Sequence, residues 1–383
     1  MPLTRQQHLD RTNGPKRILS LDGGGIRGIL TLEYLGIIEE MLKKRSGRVD
    51  FLLCDYFDLI GGTSTGSIIA AGLACGMSVD RLKQLYRDLG NSVFVTNAYE
   101  IWRRGGILAP KFPSKPLQSA LDELLGAQTT LDSDRIRTGL MVMAKRLDTG
   151  SPWPLNNHPD APFAPQDGKL HLTQVVRAST AAPTYFAPQH IDISSRDGSL
   201  TKGAFVDGGV SPFNDPAFQL LMLALLEGHG FRWRPGKDDL LLISLGTGTY
   251  KKTFTSEELV NMPAAEQGLR ALQSLMDDCA RMNHCALQWL TNCETPWQID
   301  RAVLKMERDS AGGPQLATYA RYNVVFEPGW LKSEVEIELT SDELAKIAEM
   351  DNPANMDRLA QIGRKAAEKE VKPEHFPSVF DVR

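Results

Sequence analysis

Gly62-Thr63-Ser64-Thr65-Gly66 lies between the apolar run Asp55–Ile60 and the small-residue run Ser67–Gly76. A strand that runs into a tight turn and then into a helix is the setting of a nucleophile elbow, in which the turn pushes a serine hydroxyl out of the sheet end. Gly62 and Gly66 allow strained dihedrals and close approach of neighbouring backbone. The helix that follows directs its N-terminal amides and partial positive charge at any anion formed there. Alone, the same five residues also read as an ordinary Gly/Ser/Thr-rich turn, so the rest of the chain must decide.

Outward from this turn the pattern repeats. Arg17–Leu21 is a short apolar run that ends at Asp22 and three glycines, and Ile26–Lys43 carries apolar residues at helical spacing (Ile29, Leu32, Leu35, Ile38, Leu42). Phe57–Ile60 predicts the next strand, Ser67–Ala74 the next helix, and Ser78 caps a helix over Val79–Leu89. Strand, glycine turn and helix in repetition imply an α/β fold with a mostly parallel central sheet and helices on both faces. Ligands of such sheets sit at the carboxyl ends of the strands, where both glycine turns lie.

Further strands are expected at Thr138–Lys145, Phe205–Val206 and Leu240–Leu245, and a helix at His171–Ser179. Met1–Pro15 reads as a disordered polar arm. Asn91–Pro116 reads as an irregular loop or lid, and the proline-rich Ser151–Gly168 as a surface loop. The chain then divides into residues 16–250, which hold the glycine turns, and an extension over 251–383. In the extension, Thr255 with Glu258 and Thr340 with Glu343 form capping-box patterns. The first precedes a long helical stretch reaching Leu290, the second a helix near Leu344–Met350. Trp297–Met306 and Thr318–Phe326 read as strands between them.

Composition narrows the class. The 383 residues are 42% apolar and 23% charged, ordinary for a soluble globular protein. A net charge of −4 gives no reason to expect nucleic acid as the main partner. The five cysteines are odd in number, with no C-x-x-C pair, and read as packing residues rather than a disulfide or metal framework. No set of His, Asp and Glu has metal-ligand spacing, so neither a metal nor a cofactor is expected. The N-terminus carries no secretory signal, and polar residues break Leu59–Met77, the most apolar stretch, so a cytoplasmic location is expected.

The first glycine turn, Asp22-Gly23-Gly24-Gly25-Ile26-Arg27-Gly28, also satisfies the dinucleotide fingerprint through Gly23, Gly25 and Gly28. That reading wants an acidic residue at the end of the next strand, which here ends in Gly61-Gly62-Thr63-Ser64. A nucleotide-dependent oxidoreductase is therefore the weaker reading. In the other, the amides of Gly23, Gly24 and Gly25 stabilise an oxyanion and Arg27 adds positive charge. Ser64 then needs a base. Asp207 ends the strand Phe205–Val206 and is followed by two glycines, on the same rim. His284 is the late alternative, but it falls within a helix.

Three blocks, Asp22–Gly28, Gly62–Gly66 and Asp207-Gly208-Gly209, resemble in order the signatures of patatin-like phospholipases. Ala178–Pro188 and Ser244–Gly248 are similar to further segments of that family. The resemblance covers roughly Ile18–Gly248. It implies a three-layer α/β/α fold and a metal-independent lipid acyl hydrolase acting on membrane phospholipids. Ser64 would be its nucleophile, Asp207 its base, and Gly23–Gly25 with Arg27 its oxyanion hole. A silent binding protein on the same fold is the competing class. An exposed Asp, with a pKa near ~3.9, is a poor base at neutral pH, so Asp207 is expected to be partly buried and raised. Peripheral membrane contact is expected through Phe94-Val95 and Tyr99–Arg104. Some bacterial members that the chain resembles are antiviral effectors switched on by cyclic dinucleotides. Residues of the right types for such a ligand are Arg301, Arg321, Tyr319, Tyr322 and Trp297.

Overall fold

The computed structural model describes residues 2–94, 110–194, 199–250, 254–299 and 306–382. Its strands form one sheet: β1 (Lys16–Leu21), β2 (Leu59–Thr63), β3 (Gly139–Arg146), β4 (Ser151–Asn156), β5 (Gln189–Ser194), β6 (Leu200–Asp207), β7 (Leu240–Leu245), β8 (Asn292–Cys293) and β9 (Thr318–Tyr322). Their spatial order is β5-β6-β3-β2-β1-β7-β9-β8, with β4 also paired to β3. The run from β3 through β2, β1, β7 and β9 to β8 is parallel, and β4, β5 and β6 are antiparallel.

Every residue of β1, β2, β7 and β9 is buried. That follows from near-continuous apolar runs covered on both faces, as parallel sheets require. Alternation assigns the faces. Leu19, Leu21, Ile60, Val142, Ile243 and Tyr322 pack with helices Gly28–Ser46, Thr65–Ala74 and Met356–Glu370. Ile18, Leu59, Met141, Met143, Leu242 and Tyr319 pack on the other side, against helix Ala217–Leu225 and Leu287. The result is the expected three-layer α/β/α arrangement.

Several expectations are corrected. Within 1–15, Arg5–Leu9 forms a helix closed by a Thr4–Gln7 capping box. It is anchored because His8 is fully buried, with Nδ1 2.7 Å from Asp58, and Leu9 joins the core. Ser151–Asn156 is strand β4 rather than loop; among the described residues it pairs only with β3, and an edge strand tolerates Pro152 and Pro154 because their missing N–H groups need not serve a second neighbour. Trp297–Ile299 is not a strand, and the residues that follow it at 300–305 lie outside the described residues. The long helix breaks at Asn261–Pro263 into Ser256–Val260 and Ala264–Leu290. Residues beyond 250 supply β8 and β9, so the sheet runs across the division drawn at 250/251.

Candidate active site

Ser64 occupies the turn between β2 and helix Thr65–Ala74 with φ 53° and ψ −128°. Positive φ in a residue with a Cβ is strained, by about 1–3 kcal/mol, and persists only where the surroundings over-determine it. The surroundings here are explicit. A Cβ on Gly62 would lie 2.3 Å from the Gly66 carbonyl oxygen, and one on Gly66 would lie 2.4 Å from the Leu21 carbonyl oxygen. The elbow therefore folds tightly on itself and against the end of β1. The Ser64 N–H donates to Ser179 Oγ at 2.8 Å, and Ser179 Oγ donates in turn to the Met143 carbonyl at 2.6 Å.

Register brings Asp207 to Ser64. Along β3, Met143 is the partner of Thr63 in β2, and the next residue, Ala144, is the partner of Asp207 in β6. β3 outruns β2, and β6 pairs with the overhang. Asp207 thus arrives one step beyond the strand end that presents Ser64. Ser64 Oγ donates to Asp207 Oδ2 at 2.5 Å, while Asp207 Oδ1 accepts the Gly209 N–H at 2.7 Å. Asp207 is 5% exposed. Burial pushes its carboxyl up to about 6, against the downward pull of the Ser64 and Gly209 hydrogen bonds and of the Arg177 charge. That is the direction a general base near neutral pH needs.

The glycine turn lies against the elbow. A Cβ on Gly23 would come within 2.9 Å of Ser64 Cβ. The Gly23 N–H is already engaged by the Asn214 carbonyl at 3.2 Å, which removes it from the expected set of three donors. The Gly24 N–H makes a long 3.3 Å contact with Thr65 Oγ1. Gly25 has φ +57° and lies under Met350, whose carbonyl oxygen would be 2.1 Å from a Cβ there. Met350 also accepts the Ile26 N–H at 2.8 Å. Of the three amides, that of Gly25 has no hydrogen bond among the described residues and that of Gly24 only this long one, so these two are the candidates to meet an oxyanion. Arg27 turns toward the C-terminal segment, reaching the Ala348 carbonyl at 3.4 Å and the Phe326 ring at 6.0 Å. Burial lowers its pKa to about 10, so it stays charged, with Asp277 and Tyr185 opposing the shift.

Other candidates fall elsewhere. His284 Nδ1 is 3.1 Å from the Tyr319 hydroxyl, with neither Ser64 nor Asp207 among its contacts; burial, then Arg321, lowers its pKa to about 4. Tyr319, Tyr322 and Arg321 are 0%, 1% and 7% exposed, because β9 is covered on both faces. Arg321 is bound to Asp22. They cannot stack on or ion-pair with a nucleotide from solvent, which corrects that expectation. Trp297 is half-buried against His284, and Arg301 lies outside the described residues. So do Val95, Tyr99, Trp102 and Arg104, while Phe94 packs on Phe112 and Phe186. Among the described residues no helix is long and apolar enough to cross a membrane. Ser179 was not singled out in the sequence; its only signal is its place in the block Ala178–Pro188.

A serine on a strained strand–helix turn, a buried carboxylate on its hydroxyl and glycine amides beside it together form the layout of nucleophilic acyl transfer. A family model described as patatin-like phospholipase matches residues 19–221. The chain belongs to that family. It is similar to a cGAMP-activated phospholipase of Escherichia coli (strain TW11681), 34% identical over 232 residues that cover 60% of this chain and 62% of the relative. A cGAMP-activated phospholipase of Vibrio cholerae is 36% identical over 53% of this chain and 56% of its own length. Patatin-15 of Solanum tuberosum is 31% identical over 68% of this chain and 70% of its own length. The chain thus spans about six-tenths of the length of the two bacterial relatives.

Proposed function

We propose that this protein is a lipid acyl hydrolase that cleaves fatty-acyl esters of membrane phospholipids through Ser64 and Asp207. The observation that carries the reading is the 2.5 Å hydrogen bond from Ser64 Oγ to Asp207 Oδ2 on a strained elbow. Ser64 Oγ attacks the ester carbonyl carbon as its proton passes to Asp207. The carbonyl oxygen gains negative charge and is met by the Gly24 and Gly25 amides, with Arg27 adding to the positive field. Collapse breaks the carbonyl–oxygen bond, and Asp207 returns the proton to the departing alcohol. Water then attacks the acyl-serine as its proton passes to Asp207; the bond between the acyl carbon and Ser64 Oγ breaks, Asp207 returns the proton to Ser64 Oγ, and the fatty acid leaves.

The membrane substrate and a cytoplasmic site of action at the membrane surface are part of this reading. So is activation by a cyclic dinucleotide, supported by the names of the two bacterial relatives, and with it a role in antiviral defence. No residue is assigned to that ligand. The test is phospholipid hydrolysis by the wild type and by Ser64→Ala, with and without a panel of cyclic dinucleotides, alongside labelling by a fluorophosphonate. Ser64→Ala should melt as wild type, lose labelling and lose turnover. Hydrolysis by a folded Ser64→Ala protein would reject the dyad. Full activity without any nucleotide, and no calorimetric binding, would reject the regulation.

A further inference from the structure

Arg321 touches neither Ser64 nor Asp207, yet three of its partners are pieces of chain that end at the catalytic rim. Nη1 donates to Asp22 Oδ1 at 2.8 Å and to Ser244 Oγ at 2.6 Å, and Nη2 donates to Asp22 Oδ2 at 2.6 Å. Nη1 also lies 3.2 Å from Asp215 Oδ2, an ion pair without an aligned hydrogen bond. Asp22 immediately precedes Gly23 in the chain. Asp215 immediately follows Asn214, and Asn214 holds Gly23 from the other side. The Asn214 carbonyl accepts the Gly23 N–H at 3.2 Å, and its Nδ2 donates to the Gly23 carbonyl at 3.3 Å. Thr247 Oγ1 donates to the same carbonyl at 2.8 Å. Asp215 Oδ1 is fixed by the Ala217 N–H and by Ser244 Oγ.

We propose that Arg321 is a positioning residue that, by bridging Asp22 and Asp215, fixes Gly23 between them and so aims the Gly24 and Gly25 amides at the oxyanion formed on Ser64. This rests on the hydrolase reading above. Two physical points favour it over a role in folding alone. A buried ion-pair network is a poor source of stability compared with apolar residues of similar volume, so one at this position is better explained by the geometry it imposes. The guanidinium is also a rigid planar fork whose hydrogen bonds fix direction as well as distance, which a lysine ammonium does not reproduce. The three partners leave it no freedom to turn.

The experiment is Arg321→Lys in the full chain, checked for folding by its melting curve and assayed on phospholipid–detergent mixed micelles. The charge remains but the bridge does not. Expected is a fall in kcat of about a hundredfold, the scale set by a misplacement near 1 Å. KM should hold, and the acid limb of the pH profile should stay where Asp207 puts it. Fluorophosphonate labelling of Ser64 should slow in parallel with kcat. A folded Arg321→Lys protein with wild-type kcat overturns the proposal. If that variant does not fold, Asp215→Asn is measured instead: lowered kcat at unchanged KM supports the bridge, and wild-type kcat overturns it. If the wild type itself neither labels nor hydrolyses esters, the hydrolase reading fails on its own terms. Amide hydrogen exchange across Leu21–Arg27 then still decides the bridge: faster exchange in the lysine variant supports it, and equal exchange overturns it.

Discussion

Two opposing pulls act on the Asp207 proton: burial holds it on, and the hydroxyl and amide that donate to the carboxylate push it off. With the balance at about 6 against the ordinary 3.8, the ionised base is lost as pH falls through about 6. The kcat/KM profile should therefore drop below that pH with unit slope. The sign for stability is opposite. A carboxyl raised on folding contributes stability that is complete below about 3.8 and is lost as pH rises through about 6. At neutral pH the native protein thus holds an unfavourable buried charge. Asp207→Asn, whose single amide oxygen can still accept the Gly209 N–H while its amide N–H donates to Ser64 Oγ, should abolish turnover and raise the melting temperature by about 2 °C. A lowered melting temperature would contradict this account. Ser179 acts on the neighbouring atom. Ser179→Ala leaves the Ser64 N–H unpaired, and should cost about 1–3 kcal/mol in denaturant melts together with a loss of kcat.

Between elements, the contact that matters most is helix Thr65–Ala74 against the end of β1. At Gly66 a methyl group would meet two backbone carbonyls, those of Leu21 and Asp22, at 2.4 and 2.5 Å, and neither can swing aside. Gly66→Ala should cost about 1–3 kcal/mol in stability and, by shifting Ser64 against the glycine turn, about a hundredfold in kcat. Urea melts and initial rates on mixed micelles check both; a Gly66→Ala enzyme with wild-type rate would show that the elbow has slack. Features of this kind were legible in the sequence because each is carried by a few consecutive residues: both glycine turns, the N-cap at Ser78, and Asp207 at a strand end. Ser151–Asn156 was misread because proline argues against a strand until the strand is known to sit at an edge. Helix Met356–Glu370 went unnoticed because its buried side is made mostly of small residues, Ala360, Gly363, Ala366 and Ala367, with Gly363 close against Leu30 and Glu33. The engagement of the Gly23 amide and the burial of Arg321 depend on residues roughly two hundred to three hundred positions away, which no local pattern encodes.

As a whole, the molecule closes its sheet with its own C-terminal third. A chain ending at residue 250 would lack β8 and β9, expose the edge of β7, and strand Asp22 and Asp215 in the interior without Arg321. Breaking a buried pair in this way costs about 3–5 kcal/mol. A domain's whole stability is about 5–15 kcal/mol. The fragment 1–250 should therefore lack a cooperative melt and near-ultraviolet ellipticity, and should not react with a fluorophosphonate. A soluble, cooperatively melting fragment that labels would refute this. The same bridge orders events in time. Asp22 and Arg321 are separated by 299 positions. At about 5–20 residues per second, a ribosome needs roughly 15–60 s to travel from one to the other. For most of that interval, from the synthesis of Ser64 onward, the growing polypeptide carries its serine while the cradle beside it has no fastening. On the hydrolase reading proposed above, the nascent protein is thereby inert until Arg321 has been made and the bridge to Asp22 can close.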